Sequence, residues 1–245
     1  MCALFVSQTP HVFQLVDSQC WLYFSLEMKS PRLVFNGVLF GAALCALLAA
    51  LFIGVGTKSH GARRMPPLQP RSVVAAQILA AAKKQQGTIY DAKYLTINYP
   101  GGDVPRDQGA CTDVIVRALR AIGFDLQRLM HEDMRRNFYV YPQKWSLPGP
   151  DPNIDHRRVP NQMRFFERHG LALTCRVTPA TLAQWQPGDL VYWDTGRGRL
   201  HTGVVSDSRN MRGEPYVIHN GWVCIEDDAL TRWKIIGHYR FPQAK

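Results

Sequence analysis

Residues 185–206 read WQPGDLVYWDTGRGRLHTGVVS, which is two short apolar runs on either side of a glycine-rich turn. Aromatic and β-branched residues fill both runs, a composition typical of strands, and Gly196 and Gly198 mark the connection between them. Similar runs occur on both sides of this stretch. Strands are therefore predicted at residues 171–177, 189–193, 201–206, 216–219 and 234–241. Short connections between consecutive strands favour an antiparallel meander.

The residues before this meander carry helical periodicity. Apolar side chains recur at three- and four-residue spacing, and a capping residue or a glycine marks most ends. Helices are predicted at residues 73–86, 110–122, 126–137 and 161–169. Helices followed by an antiparallel sheet indicate an α+β fold.

The N-terminal segment at residues 33–55 is almost wholly apolar. About 20 apolar residues suffice to cross a bilayer as a helix. Because two basic residues precede the run, the pattern predicts a signal peptide or an uncleaved membrane anchor, whose natural start is Met1 or Met28. A buried pair of helices is the alternative. More basic residues follow the run than precede it, which opposes export under the positive-inside rule, but export remains the leading interpretation.

Proline and basic residues without apolar periodicity follow this run, as is typical of a linker. The chain is thus predicted to contain an extension with the signal peptide or anchor at residues 1–56, a linker at 57–70 and one folded domain at 71–245. We expect a periplasmic or cell-envelope location, with the domain held at the inner membrane if the N-terminal segment is not cleaved.

The chain carries 29 Lys and Arg against 19 Asp and Glu, a formal net charge of +10 at pH 7. This charge attracts polyanions, which include acidic cell-wall polymers, anionic membrane surfaces and nucleic acids. The sequence has no zinc-finger spacing, no RNP-like aromatic segment and no basic helix with a heptad tail, so nucleic acid is the least favoured partner. Of the six cysteines, Cys175 and Cys224 either pair or remain free thiols; the sequence leaves both open.

Cys111 lies at the start of the helix predicted in GACTDVIVRAL, residues 109–119. Unpaired N–H groups in the first turn of a helix favour a thiolate, so this position is expected to lower the pKa of the thiol and make it nucleophilic. The backbone N–H groups of Cys111 and Thr112 would then stabilise an oxyanion. A buried cysteine that packs as a small apolar residue is an equally good interpretation of this segment alone.

His201 is the best candidate for a base that activates this cysteine. It opens the predicted strand HTGVVS just after the glycine turn, at a strand end where loops form clefts. His219 lies on the next predicted strand, in YVIHNG, where it can hydrogen-bond the first imidazole and fix its tautomer. Each histidine alone is more often structural, but together with the cysteine they predict a nucleophile, a base and an orienting group.

The order and spacing of these motifs resemble the NlpC-type murein endopeptidases. The motifs are the cysteine at a helix start, WQPGDLVYW, HTGVV and VIHNG. The resemblance implies a papain-like fold, in which N-terminal helices pack on an antiparallel β-sheet, and a cysteine peptidase that cleaves peptidoglycan peptides. By position it implies that Cys111, His201 and His219 are catalytic.

Further motifs resemble YijF-type proteins, a bacterial family of unassigned function within that superfamily. They are DQGACTDV, HEDM, PDPNIDHRRVPN and GHYR. This resemblance implies the fold and thiol chemistry but does not supply a substrate. Thr112 and Asp113 follow the cysteine where the commoner NlpC pattern has serine and glycine, which leaves the packing of this helix and the substrate preference open.

Two polar residues beside the cysteine are candidates for substrate binding. Gln108 could be an additional oxyanion donor. Asp113 either positions the loop or, as is commoner at this place, caps the helix.

The stretch at residues 153–160 is a second candidate recognition element. Arg157 and Arg158 present planar donors suited to a stem-peptide carboxylate, with Asp155 or His156 holding the loop. A solvated pair or a structural bridge to Asp155 is the stronger interpretation of the two arginines.

We therefore predict a cysteine-dependent amidase or endopeptidase that acts on peptidoglycan, without a metal or an organic cofactor. The alternatives are thiol-dependent acyl transfer, a non-catalytic cell-wall-binding module and a zinc hydrolase. The zinc ligands would come from His131, Asp133, His156, His201 and His219, although no H-E-x-x-H or other close ligand spacing occurs.

Overall fold

The computed structural model describes residues 65–243 of the 245-residue chain. The segment predicted to be a signal peptide or anchor, at residues 1–56, and the first part of the predicted linker lie outside the described residues. In the part of the chain that is described, no helix is both long enough and apolar enough to cross a membrane.

Four α-helices form in the regions where the sequence predicts helices. They are α1 (Val73–Lys83), α2 (Cys111–Arg120), α3 (Leu126–Asn137) and α4 (Val159–His169). The Ser72 hydroxyl caps α1 by accepting the N–H of Ala75 at 3.1 Å. Helix α1 ends earlier than predicted because the residues before Gly87 continue as separate hydrogen-bonded turns. Gly123, with φ of 88°, follows α2 in the left-handed conformation that glycine adopts without strain.

Six strands of the described residues form one antiparallel sheet. They are β3 (Leu171–Ala172), β4 (Leu190–Asp194), β5 (Leu200–Arg209), β6 (Pro215–Asn220), β7 (Cys224–Asp227) and β8 (Lys234–Arg240). Their order in the sheet is β3-β8-β4-β5-β6-β7. A separate parallel pair is formed by β1 (Ile89–Tyr90) and β2 (Gln108–Gly109). The protein is thus a mixed α+β fold with an antiparallel sheet, as the order of helical and strand patterns predicts.

The sheet differs from the prediction in two details. Of the predicted strand at residues 171–177, only two residues pair in a strand, because Thr178 and Thr181 fold the following residues into local turns. Strand β7 is not predicted at all. Cys224 is its only buried residue, so the strand lacks the apolar pattern by which strands are recognised.

Both faces of the central strands are buried. On one face Tyr192, Val204 and Ile218 belong to a core that they share with residues of the helices. On the other face Trp193 and Val205 belong to a smaller apolar cluster. Burial on both faces explains why these strands read as continuous apolar runs instead of alternating.

The proline-glycine-aspartate turn before β4 is fixed to the last strand. The buried carboxylate of Asp189 accepts hydrogen bonds from Arg240 at 2.7 and 2.8 Å, and His238 Nε2 lies 3.0 Å from it. These contacts join the PGD and GHYR motifs, which are far apart in the sequence. They fix the start of β4, the strand that pairs with β5 and its His201.

Candidate active site

Cys111 is the first residue of α2, a helix that packs on β5. Ala110, the residue before Cys111, donates its N–H to the carboxylate of Asp113 at 2.6 Å, and this hydrogen bond stabilises the start of the helix. The cysteine is 5% exposed and its thiol is free. The backbone N–H of Thr202, next to His201 on β5, is oriented so that it favours the ionised thiol. The helix start and the strand that carries the predicted base therefore meet at this sulfur.

The thiol of Cys111 is protonated in the free protein. Burial raises its pKa to about 12, and the negative charge of Asp113 acts in the same direction. Backbone hydrogen bonds from Thr202, Thr112 and Cys111 itself favour the thiolate but do not offset the desolvation. The prediction that the helix N-terminus gives this thiol a lowered pKa is therefore wrong, because burial is the larger effect.

His201 on β5 and His219 on β6 form a hydrogen-bonded pair. The 2.9 Å contact joins His201 Nε2 to His219 Nδ1, and the rings are perpendicular with centroids 5.0 Å apart. Trp193 and Trp233 pack against both rings. Burial lowers the pKa of His201 to about 4, with a smaller contribution from His219, and also lowers the pKa of His219. Both rings are therefore neutral at pH 7.

The hydrogen bond between the histidines limits what each ring nitrogen can do. Within the described residues His201 Nδ1 makes no hydrogen bond, and none joins His201 to the Cys111 sulfur. A neutral His201 that donates from Nε2 keeps an unshared electron pair on Nδ1. His219 then accepts on Nδ1 and carries its own proton on Nε2. In this tautomer His201 can take up a proton through Nδ1.

Asp227, on the unpredicted strand β7, extends this polar chain beyond His219. Its Oδ2 lies 3.7 Å from His219 Nε2 and 2.6 Å from Arg232 Nη1. The Arg232 guanidinium holds the pKa of the Asp227 carboxyl below its usual value, so this group is ionised at neutral pH. Since His219 Nε2 is buried and has no hydrogen-bond partner among residues 65–243, the Asp227 carboxylate is placed to attract the proton on that nitrogen.

Arg157 binds Asp113 inside the protein instead of facing a ligand. Its Nη2 lies 2.9 Å from Asp113 Oδ2, and its Nε donates to the same carboxylate. Its other donors reach the backbone carbonyls of Asp91 and Lys93. Because only 7% of Arg157 is exposed and each of its three guanidinium nitrogens donates inside the protein, the hypothesis that it recognises a substrate carboxylate is replaced by a structural role. It ties residues 91–93 to the start of α2.

The other residues of the candidate recognition stretch are buried in the loop or make contacts within it. Arg158 pairs with Asp155 at 2.8 Å, and its guanidinium lies 3.9 Å over the ring of Trp145. This is the structural bridge that the sequence favours over recognition. Asp155 is buried, accepts the N–H of Asp151 and has a pKa raised by burial. His156 is buried, its Nδ1 has no hydrogen-bond partner in the described part of the chain, and burial lowers its pKa to about 3.

Gln108 and Thr112 flank the cysteine in different environments. The Thr112 side chain is buried and donates to the carbonyl of Arg157 at 2.9 Å, so this residue offers the site its backbone N–H alone. Gln108 lies on β2 and is partly exposed. Its side chain makes no hydrogen bond within the described residues, which leaves its amide free for the predicted oxyanion role.

Two residues at the site carry no sequence signal. Tyr90 on β1 is 40% exposed, burial and the charge of Asp113 raise the pKa of its phenol, and its N–H donates to the carbonyl of Trp222 at 2.9 Å, in the turn that follows His219. Asn220, next to His219, donates to the carbonyl of Gly109 at 2.8 Å. These contacts depend on pairings between distant segments, which short motifs do not reveal.

Of the five ligands considered for a zinc site, only His201 and His219 lie together, and they hydrogen-bond each other. Among residues 65–243, no three His, Cys, Asp or Glu side chains form a group that could hold a metal ion. Asp133, one of those candidates, is bound by Tyr141 and by Arg168. Cys175 is exposed and Cys224 is buried, and within the described part of the chain neither forms a disulfide.

Residues 78–241 match the family described as a domain of unknown function, DUF1287, and the chain belongs to this family. It is also similar to the uncharacterized protein YijF of Escherichia coli strain K12. The two are 45% identical over 205 residues, which cover 80% of this chain and 98% of that protein. The resemblance to YijF-type proteins is thereby confirmed, while membership of the NlpC superfamily stays a prediction.

Two crystal structures of an N-acetylmuramoyl-L-alanine amidase from Bacteroides uniformis ATCC 8492 are similar to the chain. They are both 12% identical to it, with TM-scores of 0.45 and 0.42. The matches cover 70% and 69% of this chain and 100% and 98% of the amidase chains. Similarity at this level establishes neither an activity nor a substrate for the chain.

Proposed function

We propose that this chain is a cysteine-dependent hydrolase of amide bonds with a papain-like, NlpC-type site. Cys111 is the nucleophile, His201 is the base and His219 orients His201. The observation that carries the proposal is the 2.9 Å hydrogen bond between two buried histidines on neighbouring strands. The backbone of Thr202, the residue after His201, favours the Cys111 thiolate, which supports a position of the cysteine beside the strand that carries His201.

The proposed reaction begins from a neutral thiol and a neutral imidazole. When an amide carbonyl binds beside Cys111, the thiol proton moves to His201 Nδ1 as the sulfur–carbon bond forms, so no thiolate has to exist beforehand. The N–H groups of Cys111 and Thr112 stabilise the negative carbonyl oxygen. The carbon–nitrogen bond then breaks and the amine leaves with the proton from His201. Water attacks the thioester, returns a proton through His201 and releases a carboxylic acid and the free thiol.

The proposed substrate is a peptide amide of peptidoglycan or of another acidic envelope polymer. The formal net charge of +10 supports an anionic partner. The motif resemblance to murein endopeptidases supports the stem peptide as the site of cleavage. We also propose that the N-terminal segment directs the domain to the cell envelope. The proposed route uses neither a metal nor an organic cofactor.

Digestion of isolated peptidoglycan by the purified full-length chain tests this function. The products are separated by liquid chromatography and identified by mass spectrometry, so that each new amine and carboxyl end is assigned. We expect Cys111→Ser and His201→Ala to lose about a thousandfold or more of the activity. Cys175→Ser, which removes an exposed thiol, is the matched control and keeps the activity. A folded Cys111→Ser chain with full activity would falsify the proposal.

The raised pKa of the Cys111 thiol favours a second candidate, a non-catalytic cell-wall-binding module of the same fold. Such a module binds peptidoglycan without cutting it. Co-sedimentation of the wild-type chain with peptidoglycan, with no new ends in the digest and equal binding by Cys111→Ser, is the result expected of this candidate.

A further inference from the structure

A cavity at the ends of helices α1 and α2 carries an excess of positive charge. It has a volume of about 430 Å³ and is also lined by the loop before β2. The described residues that line it include one acidic side chain, Asp103, and four cationic ones, which are Lys84, Arg106, Arg117 and Arg120. None of the three proposed reacting groups lines this cavity, so it is distinct from the candidate active site.

Hydrogen bonds between the lining segments hold the walls of this cavity together. The side-chain amide of Gln85 donates to the carbonyl of Val114 at 2.9 Å, which joins the end of α1 to α2. Arg117 donates through Nε to both carboxylate oxygens of Asp103, at 3.0 and 3.2 Å, and through Nη2 to the carbonyl of Pro105 at 3.0 Å. The three segments that carry the cations are therefore fixed relative to one another.

The fold neutralises only part of this positive charge. Asp103 is shared between Arg117 and Arg120, whose Nη1 lies 3.4 Å from Asp103 Oδ2. Lys84 and Arg106 are exposed, and among residues 65–243 neither side chain makes a hydrogen bond or an ion pair. The C-terminal ends of α1 and α2 add partial negative charges of about half a unit each, which do not offset an excess of three positive charges. A concave surface with charge of one sign concentrates ions of the opposite sign.

We propose that this cavity binds a phosphate or pyrophosphate group, carried by a soluble phosphorylated molecule or by a lipid headgroup. Its volume is that of a small-ligand site. Phosphate groups concentrate negative charge on a few oxygen atoms, each of which accepts hydrogen bonds from arginine or lysine, and this matches cations that converge from three segments. A single carboxylate would leave most of the excess positive charge unbalanced. The proposal does not depend on hydrolase activity, because it uses none of the proposed reacting groups.

Isothermal titration calorimetry of the purified full-length chain with inorganic pyrophosphate tests this site. The titration is done at low ionic strength, because salt screens exposed charges. We expect pyrophosphate to bind, and the double variant Lys84→Gln/Arg106→Gln to bind it at least about fivefold more weakly, since two exposed ion pairs are lost. Lys144→Gln/Arg176→Gln is the matched control, because it removes the same charge from two exposed cations outside the cavity. The control is expected to bind pyrophosphate as tightly as the wild type.

The proposal is overturned if pyrophosphate does not bind, or if the two double variants weaken its binding equally. It is also overturned if citrate, a tricarboxylate, binds the wild type as tightly as pyrophosphate does. Titration with phosphatidylcholine vesicles, with and without phosphatidic acid, distinguishes the two sources of the phosphate. Binding that requires phosphatidic acid and is weakened by Lys84→Gln/Arg106→Gln assigns the cavity to a lipid headgroup. Pyrophosphate binding without such an effect assigns it to a soluble phosphorylated molecule.

Discussion

The ionisation of Cys111 is set by burial more than by the helix that it begins. Backbone N–H groups favour a thiolate, yet the pKa of the thiol lies at about 12, and burial has lowered the pKa of His201 to about 4. A thiolate–imidazolium pair is thus unfavourable in the empty site. Proton transfer becomes favourable when a bound carbonyl takes up the charge of the sulfur. The proposed enzyme is therefore a general-base system that is activated by its substrate.

Alkylation of Cys111 by iodoacetamide is expected to be slow at pH 7 and to accelerate up to at least about pH 10 without a plateau. The reason is that the reactive thiolate fraction falls about tenfold for each pH unit below the thiol pKa. Mass spectrometry of the peptide that contains Cys111 gives the rate, and the exposed Cys175 serves as the internal reference. A plateau near neutral pH would show that a thiolate forms before substrate binds.

Asp227→Asn is expected to lower kcat about tenfold to a hundredfold with little change in KM, because the carboxylate helps to stabilise the protonated histidine pair but lies 3.7 Å away. The digest of peptidoglycan gives both constants. Arg232→Ala is the control variant, since it removes the cation that competes for Asp227 and leaves the carboxylate in place. Unchanged kcat in Asp227→Asn would show that Asp227 takes no part in catalysis.

At the scale of elements, the register of β5 and β6 brings the histidines together. Gly203 pairs with His219, and His201 lies two residues away on the same face of β5. A Cβ added at Gly203 would collide with β6, at 2.6 Å from Cγ1 of Val217. An added Cβ would lie 2.7 Å from the carbonyl oxygen of Ile218 and 3.0 Å from the Cβ of His219. Pairing of β5 with β6 thus requires a residue without a side chain at Gly203, two positions after the proposed base.

Gly203→Ala is expected to destabilise the protein by about 2 kcal/mol or more and to displace His219, because the close contact is with backbone and cannot be relieved by a rotamer change. Urea denaturation measures the free energy of unfolding. Gly149→Ala is the matched control, since an added Cβ there meets nothing within 4 Å. If the two variants are equally stable, β6 shifts to accommodate the added Cβ without a loss of stability.

At the scale of the whole molecule, local signals predict the elements but not the contacts between them. Ser72 and Gly123 mark helix ends, and these helices form where the sequence places them. The sequence predicts the histidine pair because its two motifs, HTGVV and YVIHNG, lie on consecutive strands, which pair with each other. Asp227 was not predicted, because its place depends on β7, a strand without an apolar pattern. The thiol pKa depends on tertiary burial, which no motif encodes.

Acid is expected to destabilise the folded domain from about pH 6.5 downward, through its buried neutral histidines. His156 and His201 have pKa values of about 3 and about 4 in the folded chain, below the ordinary value of 6.5. Between pH 6.5 and these folded-state pKa values, the unfolded chain binds protons that the folded chain does not, so the free energy of unfolding falls as pH falls. His156 is packed near Arg157 and Arg120, whose charges add to burial, while Asp151 opposes them.

Between pH 6.5 and pH 4, the free energy of unfolding of His156→Gln should therefore fall by about 1 to 3 kcal/mol less than that of the wild type. This holds even if the variant is less stable at pH 7. Urea denaturation at a series of pH values gives the two slopes. Carboxylates such as Asp207, whose pKa is lowered by its hydrogen bond to Lys83, contribute a further loss at lower pH in both chains. Because that loss is shared, parallel curves for the variant and the wild type would mean that His156 takes up its proton without unfolding.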